Sequence, residues 1–185
     1  MSTFTRTQKR WLAAIILLYV ILGVSYALAT PPLESSDEYK HYPVVQYVQT
    51  QGRLPVLDPD NPGKWLQAGA QPPLYYGLMA LLTVPIDTSD LDDIHIINPH
   101  AAMGDVNQVG NRNLIIHDLA REAFPWQGSI LAVYLIRFAS IGLGIGTILT
   151  TAVLGSALYS PAIGLLAAAL TAFNPMFLFV SAAVN

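Results

Sequence analysis

The chain has 185 residues, 53% of them hydrophobic and 11% charged, with a formal net charge of −3. Soluble domains carry roughly 25% charged residues, so this deficit points to membrane-spanning segments. The absence of cysteine excludes disulfides and a cysteine-ligated metal, and no basic patch resembles a nucleic-acid footprint.

Residues 1–10 form a short N-terminus containing Arg6, Lys9 and Arg10, followed by an uncharged apolar run from Trp11 to Ala29. That run approaches the ~20 residues needed to cross the hydrocarbon core, which predicts a first span over 11–30. Ala27-Leu28-Ala29 has the form of a signal-peptidase site, but the run is long for a cleaved signal and further spans follow, so it reads as a retained anchor. The basic residues before it place the N-terminus in the cytoplasm, making 31–127 an extracytoplasmic segment of a multi-pass protein of the cytoplasmic (plasma) membrane.

All twelve acidic residues and all four histidines fall between Glu34 and Glu122, with five basic residues among them. Ser35-Ser36-Asp37-Glu38 reads as a helix start with Ser35 as cap and Glu38 as its capping-box partner. The predicted helix covers about 36–51, kinked at Pro43 and ended by Gly52. Pro72-Pro73 opens a second helix over about 74–84, apolar nearly all round and stopped by Pro85. It is too short to span, which suits an interfacial, re-entrant or buried element. Residues 86–127 read as polar and irregular.

A second span is expected over 128–158. Its Gly142 and Gly146 have the small-xxx-small spacing that permits close helix contact. After the turn Tyr159-Ser160-Pro161, a third span over 161–185 completes an antiparallel hairpin, with a kink at Asn174-Pro175. The predicted fold class is an all-α membrane protein with about three spans and a large outer loop carrying short interfacial helices.

Asp37 stands at a predicted helix N-terminus, where the dipole favours a carboxylate. It can serve as a general base, or it can be an ordinary first-turn acid with Glu38. His41, four residues on, shares its face and either tunes Asp37 or makes a surface hydrogen bond. Tyr39, Tyr42, Tyr47, Tyr75 and Tyr76 suit a sugar platform or an interfacial aromatic belt. Asp87, Asp90, Asp92 and Asp93 lack calcium-loop spacing and read as a solvated acidic loop. His95, His100 and His117 lack metal-ligand spacing, so no motif supports a divalent metal or other cofactor. Arg137 is the one charge within a predicted span. Such charges are costly and often functional; it would contact a lipid phosphate, pair with an outer acid, or snorkel.

The segments SSDEYKHY after the first span, GRLPV, QPPLYY, NRNLIIH at 111–117 and FNPMFLFVSAAVN at 173–185 resemble, in their order and placement, the N-terminal part of polytopic GT-C membrane glycosyltransferases. The likeness is to the branch of protein O-mannosyltransferases and lipid A aminoarabinose transferases. It implies transfer of a sugar from a polyprenyl-phosphate donor to an extracytoplasmic acceptor, with membrane lipid as surroundings and short outer-loop helices on the membrane surface. Asp37 would be the catalytic base and Glu38 its support; His41, Tyr42, Gln71, Tyr75, Tyr76, Arg112 and Arg137 would line the substrate. Some relatives carry a basic residue before the Pro-Pro pair where this chain has neutral Gln71, so Arg137, Lys64 or Arg112 would have to meet the phosphate. Relatives have many more spans, so the chain reads as the N-terminal region of a longer enzyme, inactive alone. The alternative expectation is a non-catalytic subunit that joins a membrane complex or self-associates through the Gly142/Gly146 face.

Overall fold

A computed structural model describes residues 4–35, 37–102, 107 and 112–185. Ser36 and Asn111, both named above, lie outside them. The described residues are helical, with one isolated antiparallel bridge, Ile97 to Ile115, and no strand. In chain order the helices are α1 (Arg6–Ala29), α2 (Glu38–Gln51), α3 (Pro73–Thr83), α4 (Leu91–Ile94), α5 (Leu119–Glu122), α6 (Gly128–Leu158), α7 (Pro161–Ala172) and α8 (Pro175–Ser181). A 3₁₀ turn, Leu66–Ala70, precedes α3.

Among the described residues, two helices are long and apolar enough to cross a membrane: α1, with 24 residues and mean hydropathy 2.5, and α6, with 31 residues and 1.8. At 1.5 Å per residue, both exceed a hydrocarbon core about 30 Å thick. A third candidate is the pair α7 and α8, bent by 64° at a break of two residues. The break follows from Asn174-Pro175. Pro175 has no N–H to continue the ladder, and Asn174 Oδ1 instead accepts from the N–H groups of Met176 and Phe177 to start α8 afresh.

The chain divides into two compact units. The first joins Met1–Ala29 to Arg137–Ala183. Its core gathers Tyr19 and Ala27 of α1, Ile141, Ile148 and Ala152 of α6, Ala168 and Ala172 of α7, and Leu178 of α8. Within the chain Gly142 and Gly146 make no close helix contact: a Cβ on either would meet nothing within 4 Å. The close approach comes later along α6. A Cβ on Gly155 would lie 2.9 Å from Gly164 Cα, and one on Gly164 would run into the Ala152 carbonyl. Helices α6 and α7 therefore touch backbone to backbone at Gly155 and Gly164, as small residues allow. Tyr19 donates to Ser181 Oγ at 2.9 Å, and Ser181 Oγ donates to the Phe177 carbonyl at 2.6 Å.

The second unit holds Thr30–Ile136 and Val184–Asn185. Helix α2 buries seven residues, Glu38, Tyr39 and His41 through Val45. It packs on α3, which buries Tyr76, Met79, Ala80 and Thr83. Gln49 staples the two: its Nε2 donates to the carbonyls of Thr83 and Ile86, and its Oε1 accepts from the Thr88 hydroxyl. The opposite face of α3 carries exposed Leu74, Leu78, Leu81 and Leu82. Several acids of 86–127 have partners, and Asp90 and Asp93 share Arg121. Asp90 caps Ser129 N–H, Asp92 pairs with Lys64, and Asp93 pairs with Arg121.

Candidate functional site

Helix α2 begins at Glu38, and its cap is Asp37 rather than Ser35. The capping box fails because Glu38 does not turn back on its own helix. Its side chain is fully buried, and its carboxylate accepts from two distant amides: Leu33 N–H at 2.9 Å and Val184 N–H at 2.8 Å. A carboxylate satisfies buried amides well because it is an acceptor at both oxygens.

Asp37 differs in each respect. It sits in the left-handed region, φ 54°, and makes no side-chain cap hydrogen bond. Its carbonyl accepts the N–H groups of Lys40 and His41, which starts α2. Its side chain is 50% exposed and pairs with Lys40 Nζ at 2.8 Å. That hydrogen bond holds the Lys40 ammonium above the usual lysine pKa. Left-handed backbone at a non-glycine residue costs of order 1–3 kcal/mol, less for aspartate, whose short side chain tolerates it. A second left-handed residue, buried Leu33 at φ 65°, lies four positions earlier.

His41 is buried, not a surface residue, and shares a 2.7 Å hydrogen bond with the Tyr76 hydroxyl through Nδ1. Burial pushes the imidazole below the usual histidine value, which favours its neutral form, and raises the Tyr76 phenol to about 12. Tyr42 is fully buried, and its hydroxyl points toward Ser129 without a hydrogen bond of ordinary geometry; burial raises its pKa too. Tyr42 and Tyr76 are therefore buried in this conformation. Tyr75 is half-buried, its hydroxyl accepting from Asn185 N–H. Tyr47 packs edge-on against Trp65.

Gln71 and Arg112 are exposed. Lys64, half-buried, is engaged by Asp92. Arg137 is fully buried and donates from Nη1 to the Ala27 carbonyl at 2.6 Å. Its guanidinium is therefore held inside the protein in this conformation. Asp37 is also exposed, with the largely buried Lys40 beside it.

Among the described residues, no cluster of three histidine or acidic side chains has the geometry to hold a metal. The sequence reading passed over the grouping of Glu34, His117 and Glu122. Glu34 accepts the N–H groups of Leu114 and Ile115, and His117 lies between Glu34 at 3.1 Å and Glu122 at 2.7 Å. Glu34 and His117 are 83 residues apart, so no local spacing announced them. Lys40 was passed over as well, although its place three residues after Asp37 was a readable signal. Comparison of the chain with protein-family models, with curated proteins and with solved structures gave no match in any of the three.

Proposed function

We propose that this chain is the N-terminal region of a membrane glycosyltransferase, in which Asp37 takes the proton of an extracytoplasmic acceptor hydroxyl as a polyprenyl-phosphate sugar is transferred to it. The observation that carries the reading is Asp37 itself: a half-exposed carboxylate in a left-handed backbone, eight residues after a helix able to cross a membrane. Unusual backbone at an exposed acid is a mark of a functional position. The sequence resemblance supplies the reaction class.

In this mechanism the acceptor oxygen attacks the sugar carbon in line, Asp37 accepts its proton, and the lipid phosphate leaves. Lys40 has two roles available. In the resting site its ammonium pairs with Asp37, and with substrate bound it can turn to the phosphate, whose charge needs a counter-ion near lipid. This gives Lys40 the part that Gln71, being neutral, does not play. The test is transfer from radiolabelled polyprenyl-phosphate mannose, glucose or aminoarabinose in native membrane vesicles carrying the whole gene product. Asp37→Asn should lower transfer by at least about 100-fold, in line with loss of a general base, with unchanged expression. A wild-type rate in that variant would refute the assignment.

A second reading, a non-catalytic subunit of a membrane complex, is favoured by the open Gly142 and Gly146 positions on α6. A stoichiometric partner that co-purifies in mild detergent, and is lost on Gly146→Ile, would support it.

A further inference from the structure

We propose that the cleft beside the start of α6, lined by Asp90, Arg121, Phe124 and Gln127, binds an uncharged saccharide through adjacent hydroxyls and one C–H face of a pyranose ring. This is a second site, and it stands whether or not Asp37 is a base.

The cleft holds about 430 Å³, within the roughly 300–1,000 Å³ of pockets that take small molecules. Its polar groups are complementary: a carboxylate accepts, a guanidinium donates, and a carboxamide does both. Asp90 is fixed in place. Its Oδ1 accepts the Ser129 N–H at 2.8 Å, and a Cβ on Gly128 would run into its carboxylate. Gly128 is left-handed, φ 55°, a conformation that glycine adopts freely. Arg121 Nη1 lies 3.8 Å from Asp90 Oδ2 and 3.0 Å from Asp93 Oδ2. Phe124 is 79% exposed, yet its ring is braced edge-on by Trp126, with centroids 5.5 Å apart. Trp126 in turn stacks on buried Tyr134 at 3.9 Å. A braced ring loses little further freedom when a ligand covers it.

Charge selects the ligand. An anion at Arg121 would meet the carboxylates of Asp90 and Asp93, and an ammonium at Asp90 would meet the Arg121 guanidinium. A neutral polyhydroxyl compound meets neither repulsion. Its adjacent hydroxyls can donate to Asp90 and accept from Arg121 or Gln127, and hydrogen bonds to charged groups are the stronger ones. A pyranose adds an apolar C–H face for the Phe124 ring.

The test is saturation-transfer NMR and titration calorimetry on the whole gene product, in a detergent without a sugar head group. The probes are the methyl pyranosides of mannose, glucose, galactose and N-acetylglucosamine, with choline, inorganic phosphate and a polyprenyl-phosphate hexose alongside. At least one methyl pyranoside should bind at millimolar concentration, with transfer strongest at its ring C–H protons, and choline and phosphate should not. Arg121→Met and Phe124→Ala, both at exposed positions, should each weaken that binding at least about tenfold with the thermal midpoint unchanged. Asp37→Asn should bind as the wild type does. The proposal is overturned if no pyranoside binds, if binding survives both cleft variants, or if it is lost in Asp37→Asn. Binding of choline or phosphate in place of the sugars overturns the ligand class. Binding of the polyprenyl-phosphate hexose without any methyl pyranoside places recognition in the lipid phosphate and overturns it as well.

Discussion

At the residue scale, prolines orphan helical carbonyls at two points, and a side chain from elsewhere in the same unit supplies the missing donor. Pro31 has no N–H for the Ala27 carbonyl near the end of α1, and Arg137 donates to it at 2.6 Å. Pro43, inside α2, has none for the Tyr39 carbonyl, and His95 Nε2 donates to it at 2.7 Å. The Arg137 charge also lies at the negative end of the α1 dipole, where a cation is favoured. Arg137→Met should therefore destabilise the fold by at least about 1.5–3 kcal/mol, the worth of a hydrogen bond from a charged donor. Arg137→Lys should recover part of that. Thermal unfolding in detergent would show it, and an unchanged midpoint in Arg137→Met would remove Arg137 from the packing argument. His41 and His95 carry a pH consequence. Burial lowers both below the ordinary value of 6.5, so the unfolded chain binds more protons than the folded one. The stability they contribute is full above about pH 6.5 and is lost as pH falls below it, with a slope of at most about 1.4 kcal/mol per pH unit for each histidine. Chemical denaturation between pH 7.5 and 5.5 should show this decline, and His41→Asn should flatten it. An equal slope in the variant would mean that His41 does not report on folding.

At the element scale, the contact between α6 and α7 is set by two glycines whose partners are backbone. A Cβ on Gly164 would meet the Ala152 carbonyl and lie 2.8 Å from Ser156 N, so the helices would have to separate. Gly164→Ala should cost about 1–3 kcal/mol, the range for overpacking, measured by unfolding in mixed micelles. Gly142→Ala, which meets open space, should change the isolated chain little. Equal effects at the two sites would contradict the packing described. These elements show what could be read from sequence and what could not. The apolar run ending at Ala29, the bounds of α6, the left-handed Gly52 at the end of α2 and the break at Asn174-Pro175 were legible because each depends on a residue and its near neighbours. The start of α2 was misread because Ser-x-x-Glu is a local pattern, whereas the Glu38 side chain is claimed by an amide 146 residues away. The burial of Tyr42, Tyr76 and His41 was not legible for a similar reason: it depends on the packing of α2 against α3. Gly142/Gly146 and Gly155/Gly164 offer the same kind of small-residue signal, and only the crossing point of the helices tells them apart.

At the scale of the whole molecule, the hydrogen bonds of the last two residues constrain how often the chain crosses the membrane. Val184 N–H and Asn185 N–H are bound by Glu38 and Tyr75, in the unit that starts at Thr30, one residue after α1 ends. If α6 crosses once, it carries the chain from that unit to the opposite side, where the turn at Ser160 lies. A re-entrant pair α7 and α8 would then return the chain to the side of Ser160 and could not deliver Val184 to Glu38. On that path the bent pair would cross in full, which would make three crossings with a 64° bend in the last. The break is tolerable there because Asn174 and the restarted helix satisfy the N–H groups that the proline interrupts. The chain has no cysteine, so single cysteines can be placed without background. Asp60→Cys in the segment after α1, Tyr159→Cys in the turn and Asn185→Cys at the last residue are all exposed positions. In sealed vesicles, a membrane-impermeant maleimide should label Asp60→Cys and Asn185→Cys from one face and Tyr159→Cys from the other. Labelling of Asn185→Cys together with Tyr159→Cys would mean that α7 and α8 re-enter rather than cross. The docking of Val184 on Glu38 would then fail with the third span.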